Sequence, residues 1–184
     1  RNEGKPIVAV DTPGFKCNNY VSHSNVVKAI IDQYVELHED DNPARSEANT
    51  VNLFASLPYQ DPFWKGNLRE YKRLLEGLGL KVHVLWGPES GGVSEWREIP
   101  RANFNILVSP WYGKAIVDHL KIKYGQDYTW FHSIPIGGNE TEKFLRQVLD
   151  FAVEKDAGID KKAAEKFIRK EVDAYYEEID NLAT

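Results

Sequence analysis

The chain has 184 residues, 42% hydrophobic and 28% charged, an ordinary composition for one α/β domain or for one domain plus pieces of a neighbour. Its 28 Asp and Glu outnumber 23 Lys and Arg, and a net charge of -5 argues against a dedicated nucleic-acid or acidic-membrane binder. A single cysteine, Cys17, excludes an intrachain disulfide and a zinc site built on several thiolates, and no apolar run approaches the roughly 18 residues of a transmembrane helix.

Lys5-Pro6 leads into Ile7-Val8-Ala9-Val10, an apolar β-branched run that reads as a buried strand closed by Pro13-Gly14. Ser24 or Asn25 is placed to cap a helix running to about Glu36. His38 to Glu47, with Glu39, Asp40, Asp41 and Pro43, reads as a solvated linker and the best boundary in the chain. Strands and helices then alternate. The expected strands are Val51–Ala55, Val82–Trp86, Phe104–Val108 and Tyr128–Ile134. The expected helices are Asn67–Gly77, a short turn around Ser94-Glu95-Trp96, Gly113–Tyr124 and Glu140–Glu154, the last capped by Asn139. From Asp160 to Ala183 the apolar positions Ala164, Ile168, Val172, Tyr175, Ile179 and Leu182 step by three and four, which is one helix face. Basic residues crowd the first half of that helix and acidic ones the second, against the helix dipole, so packing must hold it.

Short apolar strands alternating with helices predict an α/β fold: a Rossmann-like, doubly wound, mainly parallel sheet with helices on both faces. An N-terminal strand and helix flank it, and a long C-terminal helix follows. There is no GxGxxG after a strand, no P-loop, no HExxH and no CxxC. The five histidines lie on separate elements and are read as structural or surface residues, because metal sites need convergent ligands. What remains is positional. In open parallel sheets ligands sit beyond the carboxyl ends of the strands, which here carry Thr12–Phe15, Leu57–Tyr59, Gly87–Glu89, Ser109–Tyr112 and Pro135–Gly138. Gly137 and Gly138 run into a helix start whose free N–H groups can receive an anion, although glycines and prolines there also simply turn strands into helices.

Several of these segments, in this order, resemble nitrogenase component 1, the family of the molybdenum–iron protein subunits and their assembly and pigment-reductase relatives. The carriers are Val10–Phe15, Ser22-His23-Ser24, Lys65–Leu75, Leu107–Trp111, His119–Gly125 and Ile134–Gly137. The resemblance implies a subunit built of three αβα domains that binds iron–sulfur clusters between domains and subunits. Residues 1–37 then match the end of a preceding αβα domain, residues 50–154 a central Rossmann-like domain and residues 159–184 a connecting helix. The chain begins at Arg1 and contains no methionine, so it is expected to be a piece of a longer product in a reducing cytoplasm.

By the same resemblance, His23 falls where the α-type subunit has a histidine beside its metal cofactor. The α-type cysteine ligand to that cofactor falls on Ser109, which supplies no thiolate, and Tyr112 stands where a small serine contacts the cofactor. The cluster-binding cysteines of the subunit interface lie before Thr12–Phe15, and Cys17 falls where glycine is common. The resemblance thus implies a β-like or divergent oxidoreductase subunit with no cofactor in this chain and an iron–sulfur or metal cluster in the parent. Its partners would be a homologous subunit and an ATP-dependent iron protein. His23 is then the candidate catalytic residue, and Ser109, Gly137 and Gly138 are the crevice candidates. A small-molecule or nucleotide-sugar binding module, or a structural interface domain, are the alternatives on the same architecture.

Overall fold

The computed structural model describes residues 5–36 and 47–183, with side chains through Ile179. Four strands form one parallel sheet: β1 (Thr50–Ala55), β2 (Lys81–Val84), β3 (Phe104–Val108) and β4 (Tyr128–Phe131), in the order β2-β1-β3-β4. Among the described residues six α-helices accompany it: α1 (Asn19–Ile30), α2 (Trp64–Gly77), α3 (Val93–Trp96), α4 (Lys114–Tyr124), α5 (Gly137–Glu154) and α6 (Lys161–Ala183). The α1 helix runs on into a π-helical turn, Ile31–Val35.

Successive strand residues point to opposite faces, and both faces are covered. Val51, Leu53, Ala55, Phe104, Ile106 and Val108 face a core closed by α2, α5 and α6. Phe54 and Leu107 face a second core closed by α1, its π turn and α4. Every residue of β1 and β3 is therefore buried, which is why those strands read as continuous runs. This is the α/β architecture the sequence predicts, with helices on both faces and a long C-terminal helix.

Several details depart from the sequence reading: β2 ends at Val84 rather than Trp86, and α2 begins at Trp64 rather than Asn67. Ile7–Val10 is not a strand. Ile7 is 61% exposed, and the Ala9 backbone pairs with the Gln33 side chain, donating to Oε1 at 2.9 Å and accepting from Nε2 at 2.7 Å. The amide of one glutamine takes the place of a neighbouring strand. The α1 cap is Asn18, whose Oδ1 accepts from Val21 N–H at 2.9 Å; Ser24 is buried inside the helix and donates to the Tyr20 carbonyl. At α5 the helix opens at Gly137, two residues before the expected cap, because Gly137 takes φ of 81° and turns the chain directly into it. β4 stops at Phe131, three residues short of the expected end. Residues 37–46, which hold most of the expected boundary segment and the acidic cluster Glu39–Asp41, lie outside the described residues.

The C-terminal helix is held by packing as its charge order requires. Ala164 and Ile168 are buried, Phe167 lies against Gly77, and ion pairs Arg146–Glu165 (2.9 Å) and Arg73–Glu171 tie it to α5 and α2. Its predicted apolar face divides. Val172 packs on the core, whereas Tyr175 and Ile179 are more than 40% exposed.

Candidate functional site

The chain runs from β1 through α2 to β2 on one side, then crosses to β3 and through α4 to β4 on the other. The strand order reverses between β1 and β3, and a doubly wound sheet opens its crevice at such a reversal, beyond the carboxyl ends. A cavity of about 280 Å³ lies there, between Ser56–Leu57 after β1 and Ser109–Tyr112 after β3. A second cavity of about 330 Å³ adjoins it and shares Asp61, Tyr71 and Ile134 with it. Together they match the usual size of small-molecule sites.

Local chemistry builds the walls. Ser56 takes φ of 49°, and its carbonyl accepts the Trp86 indole N–H at 3.2 Å, which turns the chain sharply away from the sheet. Asp61 braces the start of α2, accepting from Phe63 N–H at 2.8 Å and from Asn67 Nδ2 at 2.6 Å. After β3, Ser109 shapes the second wall. Its Oγ accepts from the Trp111 and Tyr112 N–H groups at 3.3 and 3.0 Å, and its carbonyl accepts Trp130 Nε1 at 2.7 Å. That loop buries Tyr112 and leaves Trp111 72% exposed. Phe63 and Ile136 are similarly exposed, so the rim of the crevice is apolar.

His23 lies at this same end of the sheet. Its ring meets Trp86 edge-on at 5.0 Å and Tyr112 at 6.1 Å. Tyr112 therefore stands between His23 and Ser109, with its ring stacked 6.0 Å from Tyr20. The His23 Nδ1 is buried without a hydrogen-bond partner among the described residues. Burial pushes its imidazole down to about 4, so it is neutral at physiological pH. Gly137 and Gly138 sit apart, at the second cavity. The Tyr175 ring from α6 covers them: a Cβ on Gly138 would stand 3.0 Å from Tyr175 Cδ1, and one on Gly137 3.3 Å from its hydroxyl oxygen. The helix start that the sequence offers to an anion is thus roofed by a phenol.

Sequence reasoning passes over Asp61 and Tyr71. Asp61 reads as part of a loop and Tyr71 as one more core position at helical spacing. Both line the two cavities. Burial, then the Asp61 carboxylate, pushes the Tyr71 hydroxyl above the ordinary phenol range; burial does the same to Tyr112, aided by Tyr71, Tyr20 and Asp61. Both phenols stay protonated.

A metal cluster held by this chain does not fit these residues. Among the described residues no three His, Cys, Asp or Glu converge to hold a metal ion. The histidines are dispersed: His83 pairs with Asn52, His119 with Asp32, and His132 stacks on Trp130. The Ser109 oxygen is already engaged by two backbone N–H groups, those of Trp111 and Tyr112.

A parallel sheet with helices on both faces and a crevice at the strand-order reversal defines a Rossmann-like, doubly wound unit. The chain belongs to the nitrogenase component 1 type oxidoreductases, whose family model matches residues 1–183. It is similar to the B subunit of light-independent protochlorophyllide reductase from several organisms. Against the protein of Gloeobacter violaceus it is 27% identical over 144 residues, covering 77% of this chain and 27% of that protein. Against that of Chlorella vulgaris it is 26% identical over 156 residues, covering 82% and 29%. Against that of Angiopteris evecta it is 36% identical over 101 residues, covering 55% and 18%. The chain therefore spans under a third of the length of these relatives. No described helix is long and apolar enough to cross a membrane.

Proposed function

We propose that this chain is a module of a nitrogenase-like reductase subunit, and that its strand-end crevice forms one wall of the chamber in which substrate is reduced. The observation that carries this reading is the position of the crevice: it opens at the strand-order reversal with an apolar rim of Phe63, Trp111 and Ile136. In this reading residues 50–154 are the central domain, residues 1–37 close a preceding αβα domain and residues 159–184 lead toward a following one. The share of the relatives' length that the chain matches supports such a modular place. The iron–sulfur or metal cluster is then held by other residues of the subunit or by a homologous partner subunit, and electrons come from an ATP-dependent iron protein.

The chain's own residues bind and orient. Tyr112 and His23 exclude water from the base of the wall, and Ser109 fixes the loop that carries Tyr112. His23, neutral and buried at Nδ1, lines neither cavity; its ring packs edge-on against Trp86 and Tyr112 and so positions the base of the wall. Phosphate binding at Gly137-Gly138 has less support, because Tyr175 lies over both glycines.

The test is electron transfer. The full gene product, purified without oxygen together with its homologous subunit, is mixed with the reduced iron protein of the same cell. ATP-dependent re-oxidation of the iron protein is the expected result. An intact complex that leaves the iron protein reduced would overturn the proposal. Replacing His23 by Phe in that complex should lower turnover while leaving ATP-dependent docking in place.

A further inference from the structure

The charges and aromatic rings around the crevice select a ligand class. Neither cavity is lined by Lys, Arg or His, whereas Asp61, Glu70 and Glu171 all face them. Glu70 and Glu171 share a single cation, Arg73. Asp61 has no ion-pair partner among the described residues; its contacts are the Phe63 N–H and the Asn67 amide. The cavity at the reversal point sets this carboxylate among four aromatic side chains, Tyr20, Tyr71, Trp111 and Tyr112. Tyr71 and Tyr112 are 5% and 8% exposed, and the Tyr112 hydroxyl is buried without a hydrogen-bond partner among the described residues. A buried phenol without a partner leaves hydrogen-bonding capacity unused beside the cavity.

We infer that this crevice binds an organic cation, an amine or quaternary ammonium head seated among the four aromatic rings and balanced by Asp61. Ring faces carry negative potential that attracts a cation, more strongly when water is excluded, and the partly buried Asp61 carboxylate adds a net charge. The phenol oxygens offer lone pairs to an ammonium N–H. The same arrangement disfavours phosphates, carboxylates and nucleotides, which would face an uncompensated anion with no basic residue to receive them. The inference rests on the crevice being the ligand-binding end of the sheet. It is independent of the electron-transfer reading, which the re-oxidation assay tests separately.

The experiment compares choline with its uncharged isostere 3,3-dimethylbutan-1-ol on the 184-residue chain, read by calorimetry and by tryptophan fluorescence, for which Trp111 is an exposed reporter. Choline should bind saturably at one site, and about tenfold or more tighter than the isostere, the size of a desolvated cation–π and carboxylate contribution. Asp61→Asn should weaken choline about tenfold while leaving the isostere unchanged, because it removes the charge and keeps an oxygen for the Phe63 N–H. Trp111→Ala, at an exposed rim position that folding does not need, should weaken choline about fivefold. If Asp61→Asn proves unfolded, the isostere comparison and Trp111→Ala decide alone. Equal binding of choline and the isostere, no saturable choline binding, or tighter binding of inorganic phosphate than of choline would each overturn the inference.

Discussion

Gly77, the last residue of α2, should be the most informative single position for the packing that closes the second cavity. A Cβ built there would stand 2.1 Å from Phe167 Cζ, and 2.4 and 2.5 Å from the two neighbouring ring carbons. Ordinary carbon contacts lie at about 3.5–4.0 Å, so the phenyl ring must retreat by more than about 1 Å. Phe167 is partly buried and packs on the first core, so withdrawing the ring gives up part of that contact. Overpacking of this kind costs about 1–3 kcal/mol, and replacing a helical glycine by alanine returns at most about 1 kcal/mol. Gly77→Ala is thus expected to destabilise the chain by about 1–2 kcal/mol, a fall in Tm of roughly 2–8 °C for a chain of this size. The sign should reverse when Phe167 is already Ala. With the ring gone only the helix preference remains, and Gly77→Ala should then stabilise by up to about 1 kcal/mol. Urea midpoints of the wild-type chain, the two single variants and the double variant measure the coupling directly. A Gly77→Ala chain more stable than wild type in the native background would refute the reasoning, since no steric conflict would then exist between α2 and α6.

Three further outcomes follow from the same contacts. Between pH 6.5 and about 4 the unfolded chain binds a proton at His23 that the folded chain refuses, so stability is complete above about pH 6.5 and declines as pH falls; His23→Phe should remove up to roughly 3 kcal/mol of that decline in pH-dependent urea melts, leaving the smaller one from His83, whose imidazole burial also lowers. Asn52→Leu should cost about 2–3 kcal/mol by chemical denaturation, because the Asn52 side chain bonds Ile99 O at 3.0 Å, Asn105 Oδ1 at 2.9 Å and His83 Nδ1 at 3.1 Å inside the sheet. Arg73→Met should cost about 0.5–1 kcal/mol at low salt and little at about 1 M salt, since its pairs with Glu70 and Glu171 are partly exposed.

Much of the sheet is legible in the sequence because burial on both faces writes itself into consecutive residues. Phe104–Val108 is read at its true ends, and Val51–Ala55 to within one residue. Ile7–Val10 carries the same local signature without becoming a strand. The difference is not in those residues. It is that the Gln33 side chain, brought over by α1, takes up the hydrogen bonds of Ala9. The caps mislead for a related reason. Ser24 has the right chemistry to start a helix, but its hydroxyl is spent on the turn before it, while Asn18 sits in what reads as a plain polar loop. Asn139 loses the cap position to Ile136, and Gly137, with its left-handed backbone, starts α5 three residues sooner than Glu140.

The crevice divides into what topology announces and what only contacts reveal. Parallel strands deliver their following loops to one edge, so the strand pattern alone places Ser109 and the loop after β1 at a common end. The chemistry of that place is not in the pattern, because each residue that defines it already has a sufficient local explanation. Tyr71 sits at helical spacing with Leu68 and Leu75 and reads as core. Asp61 precedes a helix and reads as loop. Tyr112 follows a Ser-Pro turn and reads as a loop aromatic. All three readings are correct as far as they go: Tyr71 does pack on Phe144 at 6.0 Å, and Asp61 does lie in a turn, where it accepts the Phe63 N–H. The additional property, a phenol without a partner and a carboxylate without an ion pair among the described residues, both at one cavity, exists only once β1 and β3 pair and bring their loops together. A resemblance to a family supplies the position of His23 and Ser109 but describes a cysteine and a small serine where this chain has Ser109 and Tyr112. In this chain the Ser109 hydroxyl is tied to backbone N–H groups, and the aromatic ring of Tyr112 belongs to the same loop. The loop after β3 thus presents an aromatic wall, and the organic-cation assay addresses what that wall receives.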